Sequence, residues 1–340
     1  MKKILMIGTG GTIASQSSEF GLTPGLSTEE LLSYVPKVAD VCEVDSIQVC
    51  SIDSTNVTPD YWKLMAKAVE DNYDKYDGFV ICHGTDTLAY TAAALSYMIQ
   101  NSTKPIVITG AQRPISNDIT DAKTNLLESF IYAADDDSQD VSIVFDGKVI
   151  VGTRAKKERA KSFNAFTSIN FPHPAIVQDD RVIRYIPTVP FKDPVKFYHE
   201  MNDSIFLLKL IPGIQPDILP YLFEHYDCIV LESFGVGGLP TTLTDEFYHV
   251  MKEWIETKGK IVVMATQVVN EGSNMTVYEV GKKVKSDFNL IEAYDMTLEA
   301  TITKLMWLMG LPTMQYADIK KMFYTTVNND IIFTKNQPDI

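Results

Sequence analysis

The chain has 340 residues, which at roughly 150 residues per domain predicts about two domains. Hydrophobic residues make up 45% and charged residues 22% of the chain, as in ordinary globular proteins, and this excludes a disordered or fibrous chain. Thirty Lys and Arg against 44 Asp and Glu give a net charge of −14. That charge repels phosphate backbones and argues against nucleic acid as a general partner.

The N-terminal segment and the cysteines favour a cytoplasmic protein. The apolar run Ile4–Ile7 follows two lysines, as in a signal peptide, but it stops at Gly8, short of the ~7–15 residues of a secretory core. We therefore interpret it as the first strand of the mature fold. No apolar run in the sequence approaches the ~18 residues that span a bilayer, so we expect no membrane association. The four cysteines are Cys42, Cys50, Cys82 and Cys228. They form no C-x-x-C pair and no metal-ligand spacing, which favours a reducing, cytoplasmic compartment.

Short apolar runs alternate with helical patterns through the first half of the chain. The sequence predicts strands at Ile4–Ile7, Glu43–Ser51, Gly78–Cys82 and Pro105–Thr109, and helices at Ser27–Val35, Thr58–Tyr73, Thr87–Ile99 and Asp121–Ala134. Gly8–Leu26 predicts a loop or hairpin, and Asp146-Gly147 predicts a two-residue hairpin turn. This order predicts an α/β fold whose larger N-terminal domain has a mostly parallel sheet covered by helices on both faces.

Prolines mark the boundary between two predicted domains. Pro187, Pro190 and Pro194 recur without an apolar period, as in a stiff linker. We place the N-terminal catalytic domain at 1–186, the linker at 187–203 and a smaller C-terminal α/β domain at 204–340. In the last of these, the sequence predicts strands at Ser204–Leu208, Cys228–Leu231 and Lys260–Ala265, and helices at Asp217–Phe223, Thr244–Glu256, Thr297–Met309 and Ala317–Phe323.

The segment Thr9–Ile13 directly after the first strand has three interpretations. A dinucleotide-binding loop is disfavoured, because the G-x-G-x-x-G frame from Gly8 places Ile13 at the third glycine. A plain structural turn is the second interpretation. In the third, Thr12 lies at the carboxyl end of a strand, facing the crevice where open α/β sheets bind ligands, and its hydroxyl acts as a nucleophile.

A second polar segment follows the predicted strand Gly78–Cys82. Thr85 and Asp86 suit helix capping, which is the structural interpretation for either residue. In the functional interpretation Asp86 holds a substrate ammonium, and helix-start amides near Thr85 stabilise developing negative charge. His83 has no serine or cysteine beside it in a nucleophile motif, so we expect a structural histidine.

Two further segments leave a structural and a functional interpretation open. The basic cluster Arg154–Lys161 is either a solvated surface or the source of one lysine that turns inward toward Thr85 and Asp86. The segment Asp53–Asn56 is either a turn before a helix or a source of hydroxyls and amides for a small carboxylate. Together the segments predict a small polar pocket with hydroxyl nucleophiles, one lysine and no metal.

These motifs in this order resemble the asparaginase family, over essentially the whole chain. The matching stretches are Met6–Ala14, Gly78–Leu88, Thr109–Pro114, Asp121 with Asn125-Leu126, Phe163–Phe166, Ser233–Gly238 and Asp295–Trp307. The resemblance is to the type I, cytoplasmic branch. It implies a two-domain α/β fold and hydrolysis of L-asparagine to L-aspartate and ammonia, without a cofactor.

The resemblance also implies roles for individual residues. Thr12 corresponds to the family's nucleophile, and Thr85 and Asp86 form a second catalytic set with a lysine, which aligns with Lys157 rather than Lys156. The positions that bind the substrate's α-carboxylate and amine are Asp53, Ser54, Thr55, Thr85 and Asp86, and Ala111 corresponds to a backbone contact with the side-chain amide. The family forms intimate homodimers, some paired into dimers of dimers, and Asp295 or Glu299 is implied to reach the partner's site.

One departure concerns the lid that follows the first motif. The family usually carries a tyrosine there, whereas Gln16–Gly25 contains none; Leu22 aligns with it best and Phe20 is the nearest aromatic residue. We expect the lid to close over substrate and another group to activate Thr12. Two alternatives stay open: an amidase that prefers L-glutamine, and a catalytically impaired amino-acid-binding relative. The size of the pocket decides the first alternative, because the extra methylene of L-glutamine changes the free energy of binding by only ~1–3 kcal/mol.

Overall fold

The computed structural model describes residues 1–18, 21–240, 244–288 and 290–332, which fall into two compact units. The first unit comprises Met1–His199 together with Val327–Asn329. The second comprises the described residues of Glu200–Thr326 together with residues 330–332. No helix among the described residues is long and apolar enough to cross a membrane.

The first unit contains the elements that the sequence predicts for it and several short strands besides. Its strands are β1 (Lys3–Gly10), β2 (Ser15–Ser18), β3 (Gly21–Pro24), β4 (Glu43–Ile52), β5 (Gly78–Cys82), β6 (Ile99–Gln100), β7 (Pro105–Thr109), β8 (Asp140–Phe145), β9 (Lys148–Val151), β10 (Ala155–Lys157), β11 (Phe166–Ser168), β12 (Ala175–Gln178), β13 (Arg181–Arg184) and β14 (Lys196–Phe197). Its helices are α1 (Thr28–Ser33), α2 (Pro59–Asn72), α3 (Leu88–Met98) and α4 (Ala122–Ala134).

The main sheet of the first unit has the strand order β13-β12-β9-β8-β7-β5-β1-β4. Strands β4, β1, β5, β7 and β8 run parallel, while β9, β12 and β13 extend the sheet as antiparallel strands. Counted along the chain, the parallel strands lie in the order 2-1-3-4-5. The order reverses between β1 and β5, and open α/β sheets bind ligands at the carboxyl ends of strands at such a switch point. The prediction of a mostly parallel α/β sheet is confirmed.

Burial on both faces explains why the central strands are continuously apolar. Every residue of β5 and β7 is buried, as expected of parallel strands that helices cover on both sides. On one face, Leu126 and Phe130 of α4 pack in a cluster with Ile4 and Met6 of β1. The other helices α2 and α3 pack on one another, and α3 contacts β7 and β8.

The second unit is a smaller parallel α/β domain. Its strands are β15 (Ile205–Lys209), β16 (Cys228–Ser233), β17 (Ile261–Thr266) and β18 (Ile291–Glu292), which pair in that order and run parallel. Its helices are α5 (Ile218–His225), α6 (Thr244–Lys252), α7 (Glu279–Phe288), α8 (Leu298–Gly310) and α9 (Tyr316–Phe323). Buried Leu219, Phe223, Ile229, Val262 and Met264 form part of its core.

Candidate active site

Candidate site residues, all of them polar except Ala111, follow the carboxyl ends of four neighbouring parallel strands of the main sheet. The residues are Thr12 after β1, Asp53, Ser54 and Thr55 after β4, Thr85 and Asp86 after β5, and Ala111 and Gln112 after β7. Since these strands are parallel and adjacent, their carboxyl ends meet at one edge of the sheet. These residues therefore lie at or beside the switch point between β1 and β5.

Two glycines bring three of these loops into direct contact. A Cβ on Gly11 would lie 2.3 Å from the backbone nitrogen of Gly84, and Gly11 has a φ of +77°. A Cβ on Gly84 would lie 2.5 Å from the Ser54 hydroxyl oxygen. Only glycine at both positions allows this approach. The backbone next to Thr12 is thereby fixed against the loop that carries Thr85.

Thr12 is the first residue of a short 3₁₀ turn, Thr12–Ala14, and this turn fixes the Thr12 backbone. The Thr12 residue is half-buried. Ile13 and Ala14 in this turn are buried. The Ser15 hydroxyl donates to the Gly11 carbonyl at 2.9 Å, and the Ile115 N–H donates to the Ile13 carbonyl at 3.2 Å. Thr12 therefore has an anchored backbone and remains partly exposed at the site.

The segment after β4 is a turn that also contacts the loop after β5. The Asp53 carboxylate accepts hydrogen bonds from the backbone N–H and the hydroxyl of Thr55, both at 2.8 Å. Ser54 is buried, and its hydroxyl oxygen accepts from the Asp86 N–H at 3.3 Å. The Thr87 hydroxyl donates to the Ser54 carbonyl at 2.7 Å. Asp53 thus stabilises its own turn, while Ser54 joins the two loops.

One lysine of the basic cluster turns inward to Thr85 and Asp86. Lys157 ends β10, and its Nζ donates to the Thr85 hydroxyl oxygen at 2.8 Å and to Asp86 Oδ1 at 2.5 Å. The Thr85 residue is only 4% exposed, whereas the side chains of Lys157 and Asp86 are 18% and 57% exposed. Successive residues of a strand point to opposite faces, so Lys156 faces away from this contact. The three groups can pass a proton between an amine and a hydroxyl and can bind a cation.

Gln112 is part of the same hydrogen-bond network, although the sequence analysis assigns it no role. Its Oε1 accepts from the Thr85 hydroxyl at 3.2 Å. Its Nε2 donates to the carbonyls of Arg159 at 3.0 Å and Ser162 at 3.1 Å, in the loop that follows Lys157. Gln112 therefore holds the Thr85 hydroxyl and the lysine-bearing segment together. Ala111 beside it is fully buried.

The buried carboxylate of Asp121 holds the backbone of Gln112 through hydrogen bonds. Asp121 accepts from the backbone N–H groups of Gln112 at 2.9 Å and Arg113 at 3.1 Å. The Asn125 side chain donates to Asp121 at 3.2 Å and to the Gly110 carbonyl at 3.0 Å. Burial raises the pKa of the Asp121 carboxyl, and these hydrogen bonds oppose the shift. Side chains at the start of α4 therefore hold the backbone of the loop that follows β7.

His83 has a structural environment. It is fully buried, its Nδ1 lies 2.7 Å from the Gly84 carbonyl oxygen, and its Nε2 lies 3.0 Å from the Thr91 hydroxyl. The Trp62 indole N–H donates to the same hydroxyl at 2.9 Å. A neutral histidine that donates from Nδ1 and accepts at Nε2 satisfies all three contacts. Burial lowers the pKa of His83 to about 4.

The shifted pKa of His83 predicts a loss of stability in acid. Its ordinary pKa of 6.5 applies to the unfolded chain, so protonation favours unfolding. This contribution is fully present above pH 6.5 and declines as the pH falls toward 4, by roughly 3 kcal/mol in all. We expect the free energy of unfolding in urea to fall over that range less steeply in His83→Gln, whose amide does not titrate. Equal slopes for the two proteins would contradict this assignment.

The remaining predicted residues lie outside this edge of the first unit. Asp295 and Glu299 belong to the second unit, where Asp295 accepts from the Ile332 N–H at 3.1 Å and Glu299 is buried. Phe20 lies outside the described residues, as does the side chain of Leu22. The backbone of Leu22 belongs to β3, which pairs with β2 in the predicted hairpin. No cluster of potential metal ligands occurs among the described side chains.

The fold and this site define an α/β protein with hydroxyl and amine groups at the switch point of a doubly wound sheet, an arrangement suited to nucleophilic hydrolysis. Comparison with known proteins gives the family. Residues 3–189 match the asparaginase N-terminal family model, and residues 204–323 match the model of the glutaminase/asparaginase C-terminal domain. The chain belongs to the asparaginase family.

The similarity extends over nearly the full length of several relatives. The L-asparaginase of Thermococcus kodakarensis is 37% identical over 97% of this chain and 99% of its own length. L-asparaginase 1 of Escherichia coli strain K12 is 34% identical over 91% of this chain and 92% of its own. The crystal structure of L-asparaginase I from Vibrio cholerae superposes with a TM-score of 0.88 at 30% identity, covering 98% of this chain and 99% of that one.

Proposed function

We propose that this protein hydrolyses L-asparagine to L-aspartate and ammonia, with Thr12 as the nucleophile and without a cofactor. The observation that carries the proposal is the contact of Lys157 with Thr85 and Asp86 at the edge of the sheet where the Thr12 loop also ends. The relatives named L-asparaginase support the choice of substrate.

Substrate binding follows from the charges at this edge. The half-exposed Asp86 carboxylate attracts the α-ammonium group of the amino acid. The Ser54 hydroxyl can donate to its α-carboxylate, while Asp53 accepts from the amide and the hydroxyl of Thr55 and keeps that turn closed. The side-chain amide then extends toward Thr12 and the backbone of Ala111.

The reaction proceeds through an ester on Thr12. The Thr12 oxygen attacks the amide carbon of the substrate and gives up its proton, the carbon–nitrogen bond breaks, and the nitrogen takes up that proton and leaves as ammonia. Water then hydrolyses the ester, which releases L-aspartate and restores the hydroxyl. The contacts of Lys157 with the Thr85 hydroxyl and with Asp86 give a path along which a proton can pass during the reaction.

The test is ammonia release from L-asparagine and L-glutamine, measured side by side. We expect kcat/KM for L-asparagine to exceed that for L-glutamine by at least about 10-fold, the low end of what one methylene contributes. A preference for L-glutamine would indicate the amidase alternative. No turnover, together with thermal stabilisation by L-aspartate, would indicate an amino-acid-binding protein and contradict the proposal.

We also propose that the protein is a cytoplasmic homo-oligomer, a dimer or a dimer of dimers, in which Asp295 or Glu299 completes the partner's site. All four cysteines are free thiols, and three of them are buried, which suits a reducing compartment. Light scattering would measure the oligomeric state, and a monomer that is fully active would contradict this part of the proposal.

A further inference from the structure

The strand that carries Lys157 has little sheet structure to support it. Among the strands that the structure describes, β10 pairs with β11 alone, where Ala155 lies opposite Ser168 and Lys157 opposite Phe166. A two-stranded ribbon alone is at best marginally stable, and here α3 packs on β10 and β9 contacts β11. Lys157 nevertheless places its amine within hydrogen-bond distance of Thr85 and Asp86. Further contacts must therefore hold the start of β10.

Two buried side chains immediately before β10 contact the C-terminal part of the chain. The Thr153 hydroxyl donates to the Asn328 carbonyl at 2.6 Å, and the Arg154 Nε–H donates to the Asn329 carbonyl at 2.5 Å. Thr153 and Arg154 are both fully buried. A buried guanidinium costs several kcal/mol unless it is hydrogen-bonded. These distant carbonyls consequently stabilise the arrangement of the residues that lead into β10.

The C-terminal residues are themselves anchored to the first unit. Val327–Asn329 belong to that unit, and the Asn328 amide donates to the Ser96 hydroxyl of α3 and to the Val141 carbonyl of β8, both at 2.9 Å. Asn328 and Asn329 have φ values of +45° and +57°. Asparagine tolerates this left-handed conformation better than most residues. The segment thus offers its carbonyls to Thr153 and Arg154 from fixed positions.

We propose that residues 327–329, here called the C-terminal clip, position Lys157 for catalysis. The proposal rests on the proposed function of Lys157, and it makes Thr153, Arg154 and Asn328 positioning residues. The path is short, because Thr153 precedes Lys157 by four residues and no described strand other than β11 pairs with β10. A shift of about 1 Å at a catalytic group can lower the rate by about 100-fold.

The experiment compares two substitutions at Thr153. Thr153→Val removes the donated hydrogen bond at nearly constant volume, whereas Thr153→Ser keeps the hydroxyl and serves as the matched control. We expect Thr153→Val to lower kcat for L-asparagine by about 10-fold or more with little change in KM, and Thr153→Ser to retain most of the activity. Equal kcat values in wild type and Thr153→Val would overturn the proposal, as would an equal loss in both variants.

A variant in the clip tests the other side of the same contact. Asn328→Gly keeps the left-handed backbone and the carbonyl but removes the side-chain bonds to Ser96 and Val141, so we expect a loss of kcat in the same direction. Truncation is unsuitable, because the next residue, Asp330, forms a fully buried ion pair with Lys304 at 2.5 Å in the second unit. Removal of one member of such a pair is strongly destabilising.

Chemical labelling of lysine separates the clip from the proposed activity. In wild type the Lys157 amine is held by Thr85 and Asp86, so trinitrobenzenesulfonate should modify it slowly. We expect its labelling, measured by peptide mass spectrometry relative to Lys156, to rise several-fold in Thr153→Val and not in Thr153→Ser. This readout does not need turnover, so an inactive wild type would contradict the proposed function alone. Unchanged labelling in a variant with a lower melting temperature would show a purely structural clip and overturn the proposal.

Discussion

Replacement of Thr12 by alanine is expected to lower kcat for L-asparagine by about 10⁴-fold or more. Loss of a nucleophile removes the covalent route itself, and comparable losses in other hydrolases are of this order or larger. The fold should persist, because Thr12 is half-buried and its turn is held by backbone contacts and by buried Ile13 and Ala14. We expect the free energy of unfolding to change by less than about 1 kcal/mol.

The control for this prediction is Thr12→Ser, which keeps a hydroxyl at the same position. It should retain part of the activity, and an intact melting temperature in both variants would exclude misfolding as the cause of the loss. Near-normal hydrolysis by Thr12→Ala would assign the nucleophile to Thr85, the other hydroxyl at this edge. Its contact with Lys157 at 2.8 Å would then be the activating interaction.

Local signals explain why much of the first unit can be predicted. Strands β5 and β7 begin and end where their apolar runs do, because both faces of each strand are buried. Ser27, the first residue of the predicted helix, caps α1: its hydroxyl oxygen accepts from the Glu30 N–H, and the Glu30 carboxylate accepts from the Ser27 N–H. The Asp146-Gly147 turn has positive φ at both residues, as this type of hairpin requires.

Elements that depend on distant contacts are not visible in the sequence. Strands β10 to β13 have three or four residues each and no sustained alternation, so only their partners define them. Helix α7 contains Gly281, which weakens a helical pattern. A Cβ there would lie 2.5 Å from the Met275 carbonyl oxygen. Close packing requires this glycine, although in the sequence it resembles a break.

The contrast between local sequence signals and distant contacts also explains why the other site residues can be predicted and Gln112 cannot. Thr12, Thr85 and Asp86 follow strands whose carboxyl ends can be predicted to meet, so their grouping follows from the topology. Gln112 acquires its role from contacts with Thr85 and with the carbonyls of Arg159 and Ser162, residues 27, 47 and 50 positions away. No local pattern encodes these three contacts together.

Replacement of Lys157 by methionine is expected to lower kcat for L-asparagine by about 10²- to 10⁴-fold, the usual contribution of a positioned acid or base. KM should change far less, because in the proposed binding mode the α-ammonium binds Asp86 and the α-carboxylate binds at Ser54, so Lys157 contacts Asp86 and not the substrate's charged groups. Methionine keeps an unbranched chain of similar length, so the packing of β10 is preserved. The measurement is the separate determination of kcat and KM by ammonia release.

Two further variants make this prediction specific. Asp86→Asn should weaken substrate binding as well as turnover, because the α-ammonium group loses its counter-charge, so KM should rise in this variant but not in Lys157→Met. Lys156→Met is the matched control, since its side chain lies on the opposite face of the same strand. An inactive Lys156→Met beside an active Lys157→Met would assign the catalytic amine to the neighbouring lysine. In that case the contact of Lys157 with Thr85 would be structural. Lys156 would have to turn toward the site when substrate binds, and its amine would carry the proton.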